Sequence, residues 1–321
     1  MHALSPRRND HDVTDCVRTT DPRAVRREVL RLYDRLYQGR SASRTARRAI
    51  ARGFAHVAAA FRGQVPGLHA CETPYHDLQH TLETTLAAAR MLDGYERGRR
   101  AEGPLAAPDF ALGVLVALFH DVGYLRRSGD RRHAHGAEYT LTHVSRGAVV
   151  LRRFLESVGM AAAAPIAARL IHFTGYERQP ERIALASALH RRIGQIVGSA
   201  DILGQMSDRC YLEKCRERLY PELVIGGIAR RRLADGSVLT LFESGDDLVQ
   251  KTPLFWQNAK RRLEGPLGSV YRHAERHFRG ENPYLDATER NVRYAARVRA
   301  RNAAAHLRRR PPVLDPALHL P

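Results

Sequence analysis

Two short stretches, some forty residues apart, carry the side chains most able to do chemistry. The first is Pro74-Tyr75-His76-Asp77-Leu78-Gln79-His80, and the second is Ala117-Leu118-Phe119-His120-Asp121. In the first, His76 and His80 lie four residues apart, a spacing that predicts one face of a helix. In the second, an apolar run ends on a His and an Asp side by side. Imidazole and carboxylate held together among helices are the donors of a metal site, and a metal so held commonly activates water.

Four further positions extend the pattern. In order the candidates are His80, His120, Asp121, His143, His172 and Asp201, and the last three gaps are 22, 29 and 29 residues. Each of those gaps fits one helix plus a loop, so each later ligand comes from a new helix, and inner faces of a bundle converge such residues on one point. The donor set suits Zn, Mn, Fe or Ni, and less purely Mg. Six candidates exceed the needs of one tetrahedral ion; two ions about 4 Å apart, bridged by Asp121 and a hydroxide, would use all six.

The elements that must position these residues read as helices. Thr20-Asp21-Pro22 opens a first helix running to about Gln38, with Asp21 as N-cap and Pro22 in the first turn. A second runs from Ser41 through Phe61, with Ile50, Phe54, Val57 and Phe61 on one stripe. A long helix is predicted over 75–100. The stretch 109–121 is apolar nearly all round, the pattern of a central buried helix. Helices follow over 136–158, from Pro165 to near His172, over 181–206, over 253–278 and over 286–308. Between them, 124–135 reads as a charged loop, and 223–249 as a small hairpin or a lid loop. The fold class expected is all-α: a disordered arm over 1–20, a helical cap over 21–69, a metal-binding core over 70–210, a helical extension over 211–308 serving as lid or dimer surface, and a flexible tail over 309–321.

Composition bounds the remainder. The chain has 321 residues, enough for one large domain or two ordinary ones, and 52 basic against 34 acidic residues. Only Lys214, Lys251 and Lys260 are lysines, so 49 basic residues are Arg. A net charge of +18 draws anions, and guanidinium forks match phosphate oxygens. Cys16, Cys71, Cys210 and Cys215 form no Cys-x-x-Cys pair and suggest neither a disulfide framework nor a zinc knuckle. No apolar run reaches 18 residues, and the N-terminus lacks an apolar signal core. A cytoplasmic protein that does not engage the membrane is the expectation.

The two boxes together resemble the HD superfamily of metal-dependent phosphohydrolases. Tyr75-His76-Asp77-x-x-His80 is similar to the Tyr-His-Asn-x-x-His signature of cyclic-nucleotide phosphodiesterases, and Ala117-Leu118-Phe119-His120-Asp121-Val122 resembles their second box. The later spacing, with His143-x-x-x-Gly147-Ala148 and then His172, looks more like bacterial HD proteins, including those that cleave cyclic dinucleotides. The resemblance covers roughly residues 70–210. It implies an HD-type helical core, with His80, His120, Asp121 and Asp201 as ligands of one metal. It also implies His143 and His172 as completing a second metal with Asp121 shared, and His76 as the residue that protonates the leaving oxygen. Glu83 stands where that family has an acidic residue and would orient a ligand His. The chain departs from the pattern at Asp77, which replaces the Asn, and at Tyr124, where mammalian-type enzymes have a further His. The purine-gripping Gln has three candidates, Gln195, Gln205 and Gln257.

The function these readings imply is a phosphodiesterase-type hydrolysis of a nucleotide, with one or two divalent ions (Mn, Fe, Zn or Mg) and with His76 and Asp121 as catalytic residues. Arg126, Arg127, Arg131 and Arg132 are expected to draw in the anion. The partner expected is a small phosphate-containing substrate, with a homodimer allowed and nucleic acid less favoured. Two alternatives use the same features: an oxygen-activating diiron enzyme of HD type, and a non-catalytic nucleotide- or nucleic-acid-binding protein. The apolar pair Phe255-Trp256 reads as core.

Overall fold

The computed structural model describes residues 7–39, 43–98, 103–233, 235–298 and 303–313. Among the described residues the fold is all-α, apart from one short antiparallel hairpin pairing Arg230–Arg232 with Val238–Thr240.

Helix α1 (Pro22–Tyr37) begins where Asp21 accepts the N–H of Arg23, and it buries Val25, Val29, Leu32 and Tyr33 at helical spacing. Helix α2 (Ser43–Phe61) packs against it and against α4; the expected start at Ser41 lies outside the described residues. Helix α3 (Leu78–Gly98) is buried along nearly its whole length, with α1, α4 (Ala107–Phe119), α7 (Ala188–Met206) and α12 (His273–His277) packed around it. It starts three residues later than its sequence pattern suggests. The Asp77 carboxylate accepts the N–H of His80 at 2.9 Å and so caps the helix there. His76 therefore sits in the preceding bend, not on the same helical face as His80. Every α4 residue from Phe110 to Phe119 is buried; a fully buried Phe or Leu contributes about 1.5–3 kcal/mol, so this helix anchors the core.

Several longer predicted helices are broken. The 136–158 stretch divides into a 3-10 turn (Gly136–Tyr139) and α5 (His143–Ser157). Helix α6 (Ala164–Leu170) passes into a 3-10 turn holding His172. The 253–278 stretch breaks after α11 (Thr252–Glu264), because the chain turns back at Gly265 and Gly268, the latter at φ 62°. The 286–308 stretch is α13 (Pro283–Ala295) and α14 (Ala303–His306). Between α7 and the hairpin lie α8 (Tyr211–Lys214), a π-turn (Cys215–Leu219) and α9 (Tyr220–Ile225), and α10 (Gly245–Gln250) follows the hairpin.

One apolar core runs from Val17 to Leu307, so cap, core and extension are not separately packed. The arm expected to be disordered is ordered from residue 7. Asp12 accepts the N–H groups of Cys16 and Val17 and pairs with Arg90 at 2.7 Å, with both side chains 3% exposed. A buried guanidinium needs such a partner, and that need fastens the arm to α3. The expected flexible tail is likewise held at its start. The N–H of Arg309 donates to Glu213, and the carbonyl of Pro312 accepts from Arg218; residues 1–6 and 314–321 lie outside the described residues. The four cysteines are free. No described helix is long and apolar enough to cross a membrane.

Candidate metal centre

Close helix crossings bring the first donors together. On α7, Gly204 lies against the backbone of Thr84 on α3, where a Cβ would sit 3.2 Å from that residue's N and Cα. One turn earlier on each helix stand Asp201 and His80, and the carboxylate Oδ1 reaches within 3.4 Å of His80 Nε2. The doublet is delivered differently. Helix α4 ends at Phe119, His120 keeps helical angles, and Asp121 leaves the helix at φ −103°, ψ 2°. The turn after it packs directly beneath α5. A Cβ on Gly123 would lie 1.8 Å from the His143 carbonyl oxygen, so only glycine permits this approach. Asp121 Oδ1 thereby comes within 3.6 Å of His143 Nε2.

The hydrogen bonds define which ring nitrogens are available. His120 Nδ1 donates to the Ala117 carbonyl at 2.7 Å, and His143 Nδ1 donates to the Thr140 carbonyl at 2.8 Å. A carbonyl at Nδ1 orients the imidazole and directs Nε2 at a metal. His120 Nε2 then lies 3.2 Å from His80 Nε2 and 3.1 Å from Asp121 Oδ2, while His80 Nε2 lies 3.2 Å from the same oxygen. These separations are short, and Asp121 Oδ2 is buried with no hydrogen-bond partner of good geometry: the three donors converge on a common point. His80, His120 and Asp121 form a buried group able to hold a metal ion, and Asp201 Oδ1 stands 3.4 Å from both ring nitrogens. A bare buried carboxylate oxygen facing imidazole nitrogens fits a cation.

The electrostatics agree. Burial disfavours the charged imidazole of His80, but Asp121 and Asp201 outweigh it and raise its pKa to about 9. The same balance raises His120. Burial would raise Asp121 and Asp201, yet the adjacent imidazoles hold both below the ordinary carboxylate range. Burial dominates at His143 and lowers it, in keeping with a neutral ring that presents a lone pair at Nε2.

His76 stands beside this centre. Its Nδ1 lies 2.5 Å from Glu222 Oε2, and the other oxygen of that carboxylate accepts the N–H groups of Tyr75 and His76. Burial disfavours the charged His76 ring, but Glu222 outweighs it and raises the pKa. Tyr124 stacks between His76 and His143, at centroid distances of 4.6 and 4.2 Å, and fixes both ring planes. Glu222 escaped the sequence reading because it lies 146 residues beyond His76, with no local motif to mark it.

These residues open onto a cavity of about 450 Å³ lined by His76, His80, His120, Asp121, Tyr124, His143 and Asp201. That volume is within the range of small-molecule sites. Of the expected ligands, His172 does not line the cavity; it is buried in its 3-10 turn with Nδ1 3.8 Å from Glu177 Oε2. Glu83 touches no candidate ligand: it accepts from Thr19 and Gln79, and burial with Asp208 nearby raises it to about 7. The four arginines expected to draw the anion do not line the cavity. Arg126 forms a bidentate pair with Glu72, and Arg127, Arg131 and Arg132 are exposed. Of the candidate glutamines, Gln205 alone lines the cavity, where it accepts from the Tyr75 hydroxyl and donates to the Asp201 carbonyl. Trp256 is core as expected, whereas its neighbour Phe255 lines the cavity. Cys215 also lines it, but burial pushes the thiol up to about 12, which removes it as a nucleophile near neutral pH.

No known protein family, curated protein or solved structure matches this chain.

Proposed function

We propose that this chain is a metal-dependent phosphohydrolase of HD type, acting as a phosphodiesterase on a nucleotide-like ester. One observation carries the reading. The Nε2 atoms of His80 and His120 and the unpartnered Asp121 Oδ2 converge on one point, at the wall of a cavity that also holds the His76–Glu222 pair.

His80, His120, Asp121 and Asp201 would hold the ion, and the Nε2 of His143 stands ready on the other oxygen of Asp121. A divalent ion bound there supplies a hydroxide nucleophile near neutral pH and offsets charge on the phosphoryl oxygens. The protein's own part is proton delivery and positioning. Glu222 favours the imidazolium of His76, which can pass a proton from Nε2 to a departing alkoxide. The carbonyls of Ala117 and Thr140 hold the ligand rings in their tautomers, and the Asp77 cap sets where α3 begins and hence where His80 points.

The test is metal analysis followed by turnover of cyclic mono- and dinucleotides with Mn, Fe, Zn or Mg. Metal-dependent hydrolysis lost in Asp121→Ala supports the reading. Full activity in Asp121→Ala defeats it, and oxygen-dependent turnover with a coupled iron pair would replace it with the oxidative alternative.

A further inference from the structure

The wall of the cavity drawn from residues 211–255 is mostly apolar. It is built by Leu219, Leu223, Ile228, Phe242, Leu248 and Phe255, and Ile202 of α7 joins them. Several polar side chains in the lining already have partners within the protein. Gln205 uses both ends, on Tyr75 and on the Asp201 carbonyl. Glu177 accepts the N–H groups of Val144 and Ser145 and the Ser145 hydroxyl at the start of α5. Among the described residues, the one Lys or Arg that lines the cavity is Lys251, whose ammonium donates at 2.8 Å both to the Leu241 carbonyl and to Asp247 Oδ2. An anion placed away from the cluster would meet there the one remaining N–H of an ammonium whose charge Asp247 already offsets, and burying it otherwise unpaired is costly. Glu177, a carboxylate in the same lining, opposes a second negative charge.

Resting on the hydrolytic reading above, we propose that the substrate is a singly charged phosphodiester whose ester groups are apolar or aromatic and fill this wall, and that polyphosphates and phosphomonoesters are discriminated against. The reacting phosphoryl group lies at the cluster, and the organic body takes its binding energy from removing apolar surface from water.

Calorimetric titration of the Mn-loaded full chain tests this. The probes are diphenyl phosphate, methyl phosphate, pyrophosphate and a nucleoside triphosphate. Diphenyl phosphate is expected to bind at least tenfold more tightly than the other three. Leu223→Asp, checked for native circular dichroism and unchanged Mn affinity, is expected to weaken it at least tenfold; Phe255→Ala, a milder change of the same wall, should weaken it severalfold. Tighter binding of pyrophosphate or the triphosphate, or wall variants that bind diphenyl phosphate as well as the parent, would overturn this inference alone. Failure to take up any divalent metal would overturn both it and the hydrolytic reading.

Discussion

Metal uptake by this cluster must expel protons, and the structure sets the scale. Without metal, the two carboxylates keep His80 protonated up to about pH 9. An ion that binds through His80 Nε2 has to displace that proton, so at pH 7 its apparent affinity is reduced by roughly two decades, or about 3 kcal/mol at 1.36 kcal/mol per pKa unit. Raising the pH from 7 to 9 should therefore strengthen Mn binding about 50-fold through His80 alone, and His120, raised by the same neighbours, steepens the slope. The assay is titration calorimetry over this range in buffers of different ionisation enthalpy, which counts protons directly; at least one proton per ion is expected at pH 7. The sign for stability is opposite in the metal-free protein. A folded-state pKa raised from 6.5 to about 9 contributes stability that is complete below pH 6.5 and is lost as pH rises through 9. Thermal unfolding of metal-free protein should move to lower temperature across that window. An affinity flat from pH 7 to 9, with no proton released, would refute the reasoning and leave the cluster as a self-neutralised ion network.

Further outcomes follow from particular contacts. Asp121→Ala removes the oxygen shared by both imidazoles and should lower metal-dependent hydrolysis at least a thousandfold, about 4 kcal/mol in the barrier, measured as kcat/KM on any ester that the parent cleaves. Glu222→Gln keeps an acceptor for His76 but removes the charge that favours its imidazolium, so the His76 pKa should fall. Histidine NMR titration reads that directly, and the alkaline limb of the rate profile should move to lower pH with it. Gly123→Ala places a methyl group against the His143 carbonyl and should cost about 3 kcal/mol or more; chemical denaturation measures it, with activity falling as α5 is pushed from Asp121. Asp12→Ala leaves Arg90 buried without its carboxylate and should destabilise by about 3–5 kcal/mol, whereas a disordered arm would show no change.

Legibility in the sequence follows the range of the cause. The helical stripes of α1 and α2 and the all-apolar α4 could be read directly, because each is a local periodicity. Errors in helix length arose where a side chain or a glycine acts against the pattern: Asp77 caps α3 late, and Gly265 and Gly268 end α11 early. The arm over residues 7–20 looked aperiodic, and aperiodic it is. Its order comes from a buried Arg90 on a distant helix that needs Asp12.

For the site, residue type and spacing alone named His80, His120, Asp121, His143, His172 and Asp201, because metal donors recur at intervals of one helix and the doublet ends a buried helix. Which of the donors meet, and at which atoms, is a matter of three dimensions. The close approaches at Gly123 and Gly204 bring together elements separated by tens of residues, His172 falls outside the cavity lining, and Glu222 reaches His76 across 146 positions. The apolar wall has the same origin. Leu219, Phe242 and Phe255 are ordinary hydrophobic residues in the chain, and only their packing brings them into one cavity lining with the His/Asp cluster. Chemistry is a property of residue types and can be read in one dimension, whereas proximity between distant residues is created by burial and helix crossing, and so waits on the fold.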